Sequence, residues 1–224
     1  MTLDARARLF TFLVGLFITT LVLGDLIGVK LLQVTAFGFP FVLSMGMLPF
    51  PVTFLVTDLL NEFYGKKATQ FVSLLGLAMA LLTFFTVLAA VAVPAAPFTE
   101  APDWQGARQG AFANIFGGSQ RILIASMGAF VAAQFTDIAV FQAIKRGTQG
   151  RFLFLRATGS TAVSQLIDTV VIQSLAWWGL LSPGKIFSIV VTSYAVKFVI
   201  ALGLTPLVYA GHAFATRVMK IHPL

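Results

Sequence analysis

An acid and an amide lie one helical turn apart inside two long apolar stretches of this chain. Gln165 and Asp168 form one pair, and Gln134 and Asp137 form the other, each with Gln-x-x-Asp spacing. This spacing puts the amide and the carboxylate on one face of a helix, so each helix offers hydrogen-bond donors and acceptors together. A carboxyl group far from water is costly and needs a partner or a function. The two motifs therefore predict a polar site inside an apolar protein.

The segments around the two motifs are similar to each other over ten residues. Besides the Gln-x-x-Asp pairs they share a second glutamine, Gln142 and Gln173, and a valine, Val140 and Val171. Consecutive membrane helices run in opposite directions, so the same polar pattern is expected in two antiparallel helices. Shared ancestry of the two helices and chance similarity between apolar decapeptides both remain open.

A further acidic pair, Asp58 and Glu62, lies four residues apart near the end of another apolar stretch. That stretch ends at Gly65, a helix stop that is followed by Lys66 and Lys67. Asp58 is expected about two turns from the membrane edge, at the same inner depth as the acid of the fourth stretch. Glu62 lies closer to the helix end, where it either joins the site or is solvated and paired with Lys66.

Lys197 lies about twelve residues from either end of the last apolar stretch, too deep to reach water easily. Asp168 is the carboxylate at matching depth, and we predict that the two form an ion pair. A structural link between helices and a contact with a transported substrate are both consistent with such a pair. Asp25, Lys30 and Arg121 lie nearer to the ends of their stretches and are interpreted as interfacial charges.

The composition is that of a membrane protein. Of the 224 residues, 58% are hydrophobic and 10% are charged, and the mean hydropathy is +0.92. These values exclude an ordinary soluble domain. The net charge of +7 does not indicate nucleic-acid binding, because the basic residues lie between apolar stretches, where they set topology and contact anionic lipid.

Catalytic chemistry has little support in the sequence. The chain has no cysteine, and His212 and His222 have no spacing to a third metal ligand. Hydrolase, zinc-protease and phosphate-binding motifs are absent from the sequence. Two intramembrane aspartates can form a proteolytic dyad, but nothing else about them resembles one. We therefore expect no enzyme, no cofactor and no metal site.

Six apolar stretches are long enough to span a bilayer, which predicts an all-α polytopic fold with a single membrane domain over residues 1–224. They are Leu9–Leu32, Val42–Tyr64, Phe71–Val93, Arg121–Ile144, Ala157–Leu181 and Ile186–Ala210. Most lysines and arginines then lie on one side, which predicts that both termini are cytoplasmic.

Two connections have unusual sequences. Residues Pro94–Ser119 contain three prolines and four aromatic residues and predict a long outer loop in the headgroup region. Residues Gln33–Pro51 contain three prolines and two glycines within an apolar sequence. Such an interrupted segment is typical of a transporter binding site, although a re-entrant outer turn that only packs fits as well.

Several motifs together resemble one family. They are the Phe-Pro-x-Thr-Phe-Leu-x-x-Asp-x-x-x-Glu-x-Tyr-Gly run at 50–65, the two Gln-x-x-Asp motifs, the Gly-Ser-Thr at 159–161 and the Tyr-x-x-Lys at 194–197. Nearly the whole chain is similar to the queuosine precursor transporter family, also called vitamin uptake transporter-like. The resemblance implies uptake of 7-cyano-7-deazaguanine or its aminomethyl relative across the bacterial inner membrane, for tRNA modification.

The intramembrane polar residues suit such a substrate. A carboxylate accepts the adjacent N–H donors of a deazaguanine, an amide or ammonium donates to its exocyclic oxygen, and aromatic rings stack on its flat face. Trp177 and Trp178 are interpreted mainly as an interfacial belt. The predicted substrate-binding residues are Asp58, Gln134, Asp137, Gln165, Asp168, Tyr194, Lys197, Phe50, Phe54 and Glu62. Five of these residues are expected to line one cavity, namely Asp58, Gln134, Asp137, Gln165 and Asp168.

Three classes of function fit these residues. The first is a stand-alone secondary transporter or facilitator for a small nucleobase-like molecule. The second is the substrate-binding membrane subunit of an ATP-driven importer of the energy-coupling factor type, and the third is a membrane enzyme or scaffold. The choice between the cyano and aminomethyl substrates, the coupling ion and homo-oligomer formation are left open at this stage.

Overall fold

The protein is described here from a computed structural model that covers residues 4–36, 38–148 and 153–221. The main elements of this part of the chain are five long helices and one β-hairpin, with short helical turns at Met45–Met47, Pro97–Glu100 and Phe214–Val218. The helices are α1 (Ala5–Ile27), α2 (Phe50–Ala92), α3 (Gln109–Gly147), α4 (Leu153–Trp177) and α5 (Pro183–Ala213), and the strands are β1 (Leu31–Ala36) and β2 (Phe39–Ser44).

Helix α2 consists of two arms that meet at Gly65. The backbone of Gly65 has φ 75° and ψ 173°, which breaks the helical path and favours glycine. Two contacts with α1 show that the arms double back. Thr53 donates to Thr20 Oγ1 at 3.0 Å, and Gly76 lies against the Phe17 ring, only one turn away on α1. The arms, residues 50–64 and 66–92, therefore lie side by side along α1.

The helices have the length and polarity of membrane spans. In the part of the chain that the structure describes, four helical segments are long and apolar enough to cross a bilayer, namely Ala5–Ile27, Lys67–Ala92, Gln109–Ala133 and Pro183–Ile200. Large apolar side chains such as Phe71, Phe135 and Phe187 are exposed on the outside of the bundle. Apolar surface of this kind suits lipid rather than water. The chain is a multi-pass membrane protein that is mostly helical.

The hairpin corrects the prediction of an all-α fold. The first apolar stretch was expected to be helical to Leu32, but α1 ends at Ile27 and β1 begins at Leu31. The second was expected to start at Val42, but that residue pairs with Gln33 in the antiparallel ladder, and α2 begins only at Phe50. The physical reason is the turn at Gly38, with φ 79°, between two short apolar runs.

The hairpin is packed against the helices at one end of the bundle, which we call the hairpin end. Leu31 and Val42 lie on a core formed by α3, α4 and α5. Thr192 of α5 donates to the Val42 carbonyl at 3.1 Å, and Ser44 donates to the Gly28 carbonyl at 2.7 Å. The interrupted segment therefore pairs its backbone groups within the hairpin ladder and, at Val42, with a neighbouring helix, as an irregular membrane segment requires.

The connection between α2 and α3 is shorter than the predicted loop Pro94–Ser119. Helix α3 begins at Gln109 rather than near Arg121. Glu100 accepts from the Gln109 backbone N–H at 2.8 Å, and the Gln109 amide donates to the Val91 carbonyl at 3.1 Å. A carboxylate at the first turn favours a helix start, which explains why the helix extends twelve residues earlier.

At the hairpin end the backbones of Gly46 and Gly24 lie so close together that a methyl group added at Gly46 is expected to lower stability. A Cβ at Gly46 would lie 2.7 Å from the Gly24 carbonyl oxygen, so Gly46→Ala must separate the turn before α2 from α1. We expect a loss of about 1–3 kcal/mol in the free energy of unfolding. Gly15→Ala on α1 is the matched control, because nothing lies within 4 Å of its Cβ position. Thermal unfolding in detergent measures both, and equal stability of the two variants would contradict the packing.

Candidate functional site

An ion pair between α4 and α5 lies at the centre of the site. Lys197 Nζ donates to Asp168 Oδ2 at 2.8 Å, and the side chains are only 10% and 23% exposed. The same ammonium group lies 4.7 Å from the centroid of the Phe50 ring, at the start of α2. This distance is within the range of a cation–π interaction. The predicted pair of Lys197 and Asp168 is confirmed, and three helices meet at it.

Tyr194 fixes the relative position of α4 and α5 beside this pair. It lies three residues before Lys197 on the same face of α5, and its hydroxyl donates to the Ala162 carbonyl at 3.1 Å. The ring is half-buried. Tyr194 therefore links the two helices that carry the charges, and its expected contact with substrate stays a prediction.

Buried polar atoms without a hydrogen-bond partner surround the ion pair. Among the described residues these atoms include Gln165 Oε1 and Ser193 Oγ. Gln165 precedes Asp168 by one turn, and Ser193 precedes Lys197 by one turn. Because buried polar atoms are nearly always paired, unpaired ones around one charge pair indicate a site for a polar ligand. Gln165 lies one helical turn from Asp168, and its expected contact with substrate stays a prediction.

Asp25 is a buried acid whose surroundings the sequence did not reveal. It was interpreted as an interfacial charge, but it is only 5% exposed. Its neighbour Gly24 lies against Pro49, and the next residue, Phe50, has the Lys197 ammonium group over its ring. The interpretation was wrong because the turn before α2 packs against α1 beside Asp25. The glycines Gly24 and Gly28, which flank it with helical spacing, are the signal that a close contact was present.

The antiparallel register of α3 and α4 brings the two Gln-x-x-Asp motifs to one level. A Cβ at Gly128 would lie 3.3 Å from Leu175, and one at Gly159 would lie 3.1 Å from Ile144. These contacts place position 168 level with about position 135, and position 165 level with about position 138. Each glutamine position is therefore level with the aspartate position of the other helix.

Half of the predicted site lies outside what the structure describes. The side chains concerned are those of Phe54, Asp58, Glu62, Gln134 and Asp137. Their backbones belong to α2 and α3, but whether these side chains share one cavity with Asp168 stays a prediction.

Arg121 and the two tryptophans have structural roles at the hairpin end. Arg121 donates to the Leu175 carbonyl at 3.1 Å and also to the Trp178 carbonyl, where a cation stabilises the C-terminus of α4. Trp178 is 70% exposed, as expected for a residue of an interfacial belt. Trp177 is 8% exposed and donates to Gln173, so it belongs to the core and not to a belt.

Comparison with known proteins identifies the class of this chain. Residues 44–211 match the family described as "Putative vitamin uptake transporter". The chain belongs to this family of transporters and is not an enzyme. It is also 32% identical over 169 residues to the "Probable queuosine precursor transporter" of Bacillus subtilis (strain 168), which covers 75% of this chain and 71% of that relative. No solved structure matches it. The resemblance inferred from the motifs is confirmed.

The ion pair predicts a non-additive response to charge removal. Lys197→Met leaves the Asp168 carboxylate half-buried without its cation, and we expect a loss of about 3 kcal/mol in the free energy of unfolding. Adding Asp168→Asn removes the imbalance and should recover part of that loss. Lys185→Met is the control, since Lys185 is exposed near the start of the same helix. Additive losses in a double-mutant cycle of thermal unfolding would show that the two charges act independently.

Proposed function

We propose that this chain is a stand-alone secondary transporter that imports a queuosine precursor, 7-cyano-7-deazaguanine or 7-aminomethyl-7-deazaguanine, across the bacterial inner membrane. The observation that carries the proposal is the Lys197–Asp168 pair, held among unpaired buried polar atoms in the middle of an apolar bundle. Membership of the transporter family and the name of the Bacillus subtilis relative support it.

The proposed topology has six spans and both termini in the cytoplasm. The two arms of α2 supply the second and third spans, and the hairpin end then faces outward. The expected inner side carries ten basic residues, and the outer connections carry chiefly Arg108 and Lys185, which supports this orientation by the positive-inside rule. A substrate from outside would therefore first meet the hairpin end, where Phe50 lies beside Lys197.

Substrate recognition would be an exchange of hydrogen-bond donors at Asp168. In the structure, Lys197 occupies Oδ2 of this carboxylate. A deazaguanine presents adjacent N–H donors that a carboxylate accepts as a bidentate pair, and an exocyclic oxygen that accepts from an ammonium group. The substrate can therefore replace Lys197 as the hydrogen-bond donor to Asp168, while its exocyclic oxygen accepts a hydrogen bond from Lys197. Neither charge is then left without a partner.

The flat ring of the substrate requires an apolar surface next to these charges. Phe50 provides one, since its ring already lies against the Lys197 ammonium group. Aromatic stacking orients a planar ligand while the polar groups read its edge. Gln165 and Ser193 have unpaired polar atoms close to the same charges and can take the remaining donors and acceptors.

Neutralising Asp168 tests the proposal. In cells that cannot make the precursor, Asp168→Asn should reduce queuosine formation in tRNA by at least about tenfold, because a hydrogen bond to a charged acceptor contributes roughly 1.5–3 kcal/mol. The matched control is Asp103→Asn, an exposed acid in the connection before α3. Near-normal uptake by Asp168→Asn at equal membrane expression would contradict a substrate role for Asp168.

A second part of this experiment distinguishes a stand-alone transporter from the substrate-binding subunit of an ATP-driven importer. The wild-type chain is expressed in a host that lacks ATP-driven energy-coupling modules, and uptake of labelled precursor is measured. Uptake by this chain alone supports a stand-alone transporter. Uptake that appears only when an ATPase module is supplied would show that the chain is a substrate-binding subunit.

A further inference from the structure

The charges at the site do not balance. Asp25 follows Gly24, which lies against Pro49, and the next residue, Phe50, has the Lys197 ammonium group over its ring, so Asp25 lies near this cation. Lys197 is paired with Asp168. Among the described side chains, two carboxyl groups thus share one ammonium group. A net negative charge in a region shielded from water is costly, so the site needs one additional positive charge whenever it is closed.

The described residues around Asp25 supply no such charge. On α3 the nearby Ser126 is neutral. The cation at the hairpin end of that helix, Arg121, donates to the carbonyl groups of Leu175 and Trp178. From α2 and the turn before it, the described residues packed against α1 nearby are neutral, namely Gly46, Pro49 and Thr53. Lys30, just after α1, is exposed. Asp25 is therefore only 5% exposed, and none of the described residues around it supplies a cation of its own.

A proton suits this position better than a metal cation as the additional positive charge. A metal cation needs several oxygen ligands arranged around it, and no group of three acidic, histidine or cysteine side chains suited to a metal occurs in the described part of the chain. A proton needs one oxygen atom. Oδ2 of Asp25 is such an atom, buried and without a hydrogen-bond donor among the described residues.

We propose that Asp25 carries the coupling proton of the transport cycle, as a residue distinct from Asp168, which holds the substrate. This inference rests on the transport function proposed above. The proton forms an O–H bond with Asp25 at the outward-facing hairpin end, crosses with the substrate and leaves to the cytoplasm as that bond breaks. No other bond changes and no oxidant or reductant is involved.

Closure of the site around the substrate and uptake of a proton by Asp25 are linked, because the proton neutralises the excess negative charge that closure removes from water. While the site is open, water screens the extra negative charge. When the site closes around a neutral substrate, that water is lost and the closed state is favoured by a proton on Asp25. By thermodynamic reciprocity, a proton on Asp25 then favours the closed, substrate-loaded state. This linkage would let an inward proton gradient drive accumulation of a neutral molecule.

The test uses the purified full chain in liposomes with labelled 7-cyano-7-deazaguanine. Counterflow without ion gradients measures substrate binding and movement, and accumulation under an inward gradient of about one pH unit measures coupling. One proton per substrate allows up to about tenfold accumulation by the wild-type chain. Asp25→Asn should lose this accumulation and keep counterflow within about twofold of wild type. Asp103→Asn should keep both activities.

Each alternative result has a distinct meaning. Accumulation by Asp25→Asn that still follows the proton gradient would overturn the inference, and so would wild-type accumulation driven by sodium instead. Loss of counterflow in folded Asp25→Asn would also overturn it, because Asp25 would then belong to the substrate site. Failure of wild-type counterflow would instead remove the transport function on which the inference rests.

A direct measurement covers the case in which Asp25→Asn does not fold. Adding the substrate to wild-type protein in weakly buffered detergent should draw about one proton per substrate from solution, as seen with a pH indicator. Asp25→Glu retains the carboxyl group and should keep this proton uptake. Binding of the substrate without any proton uptake by the wild-type protein would overturn the inference.

Discussion

The ion pair between Lys197 and Asp168 constrains the rest of the molecule. Two opposite charges that are mostly removed from water stabilise a protein only while they remain in contact, since either one alone would be buried without compensation. Helices α4 and α5 therefore have to keep one relative position, and the Tyr194 hydroxyl helps to hold it. Phe50 covers the ammonium group from α2. Under the transport function proposed above, a substrate exchanges with one partner of this pair without leaving a charge unpaired.

The hairpin end determines which other groups reach this pair. The turn before α2 approaches α1 at Gly24 and Gly28, and side chains at either glycine would meet Gly46, Pro49 or Ile122. This close packing brings the start of α2, and with it Phe50, next to the end of α1, where Asp25 lies. The same packing shields Asp25 from water. The segment that the sequence marks as interrupted by prolines and glycines is therefore what brings a second carboxyl group and an aromatic ring to the ion pair.

The sequence predicted how deep single charged residues lie in the bundle better than it predicted the course of the backbone. Lys197 and Asp168 were paired correctly because both are charges far from any helix end, and only opposite charges at equal depth relieve that cost. The hairpin was missed because apolar runs of six residues fit a strand and a buried helix equally well. Asp25 was misinterpreted for a related reason. Distance from a helix end, counted along the sequence, says nothing about a neighbouring segment that folds over that end.

The register of α3 and α4 gives a structural meaning to the repeated Gln-x-x-Asp motif. Antiparallel packing places each glutamine position level with the aspartate position of the opposite helix. Equal spacing in both helices is what such reciprocal alignment requires, and a shift of one helix by a single turn would lose it. Asp168 belongs to both the α4 motif and the ion pair with α5, so the aligned positions lie at the depth of that pair. One ligand site shared by the three helices stays a prediction.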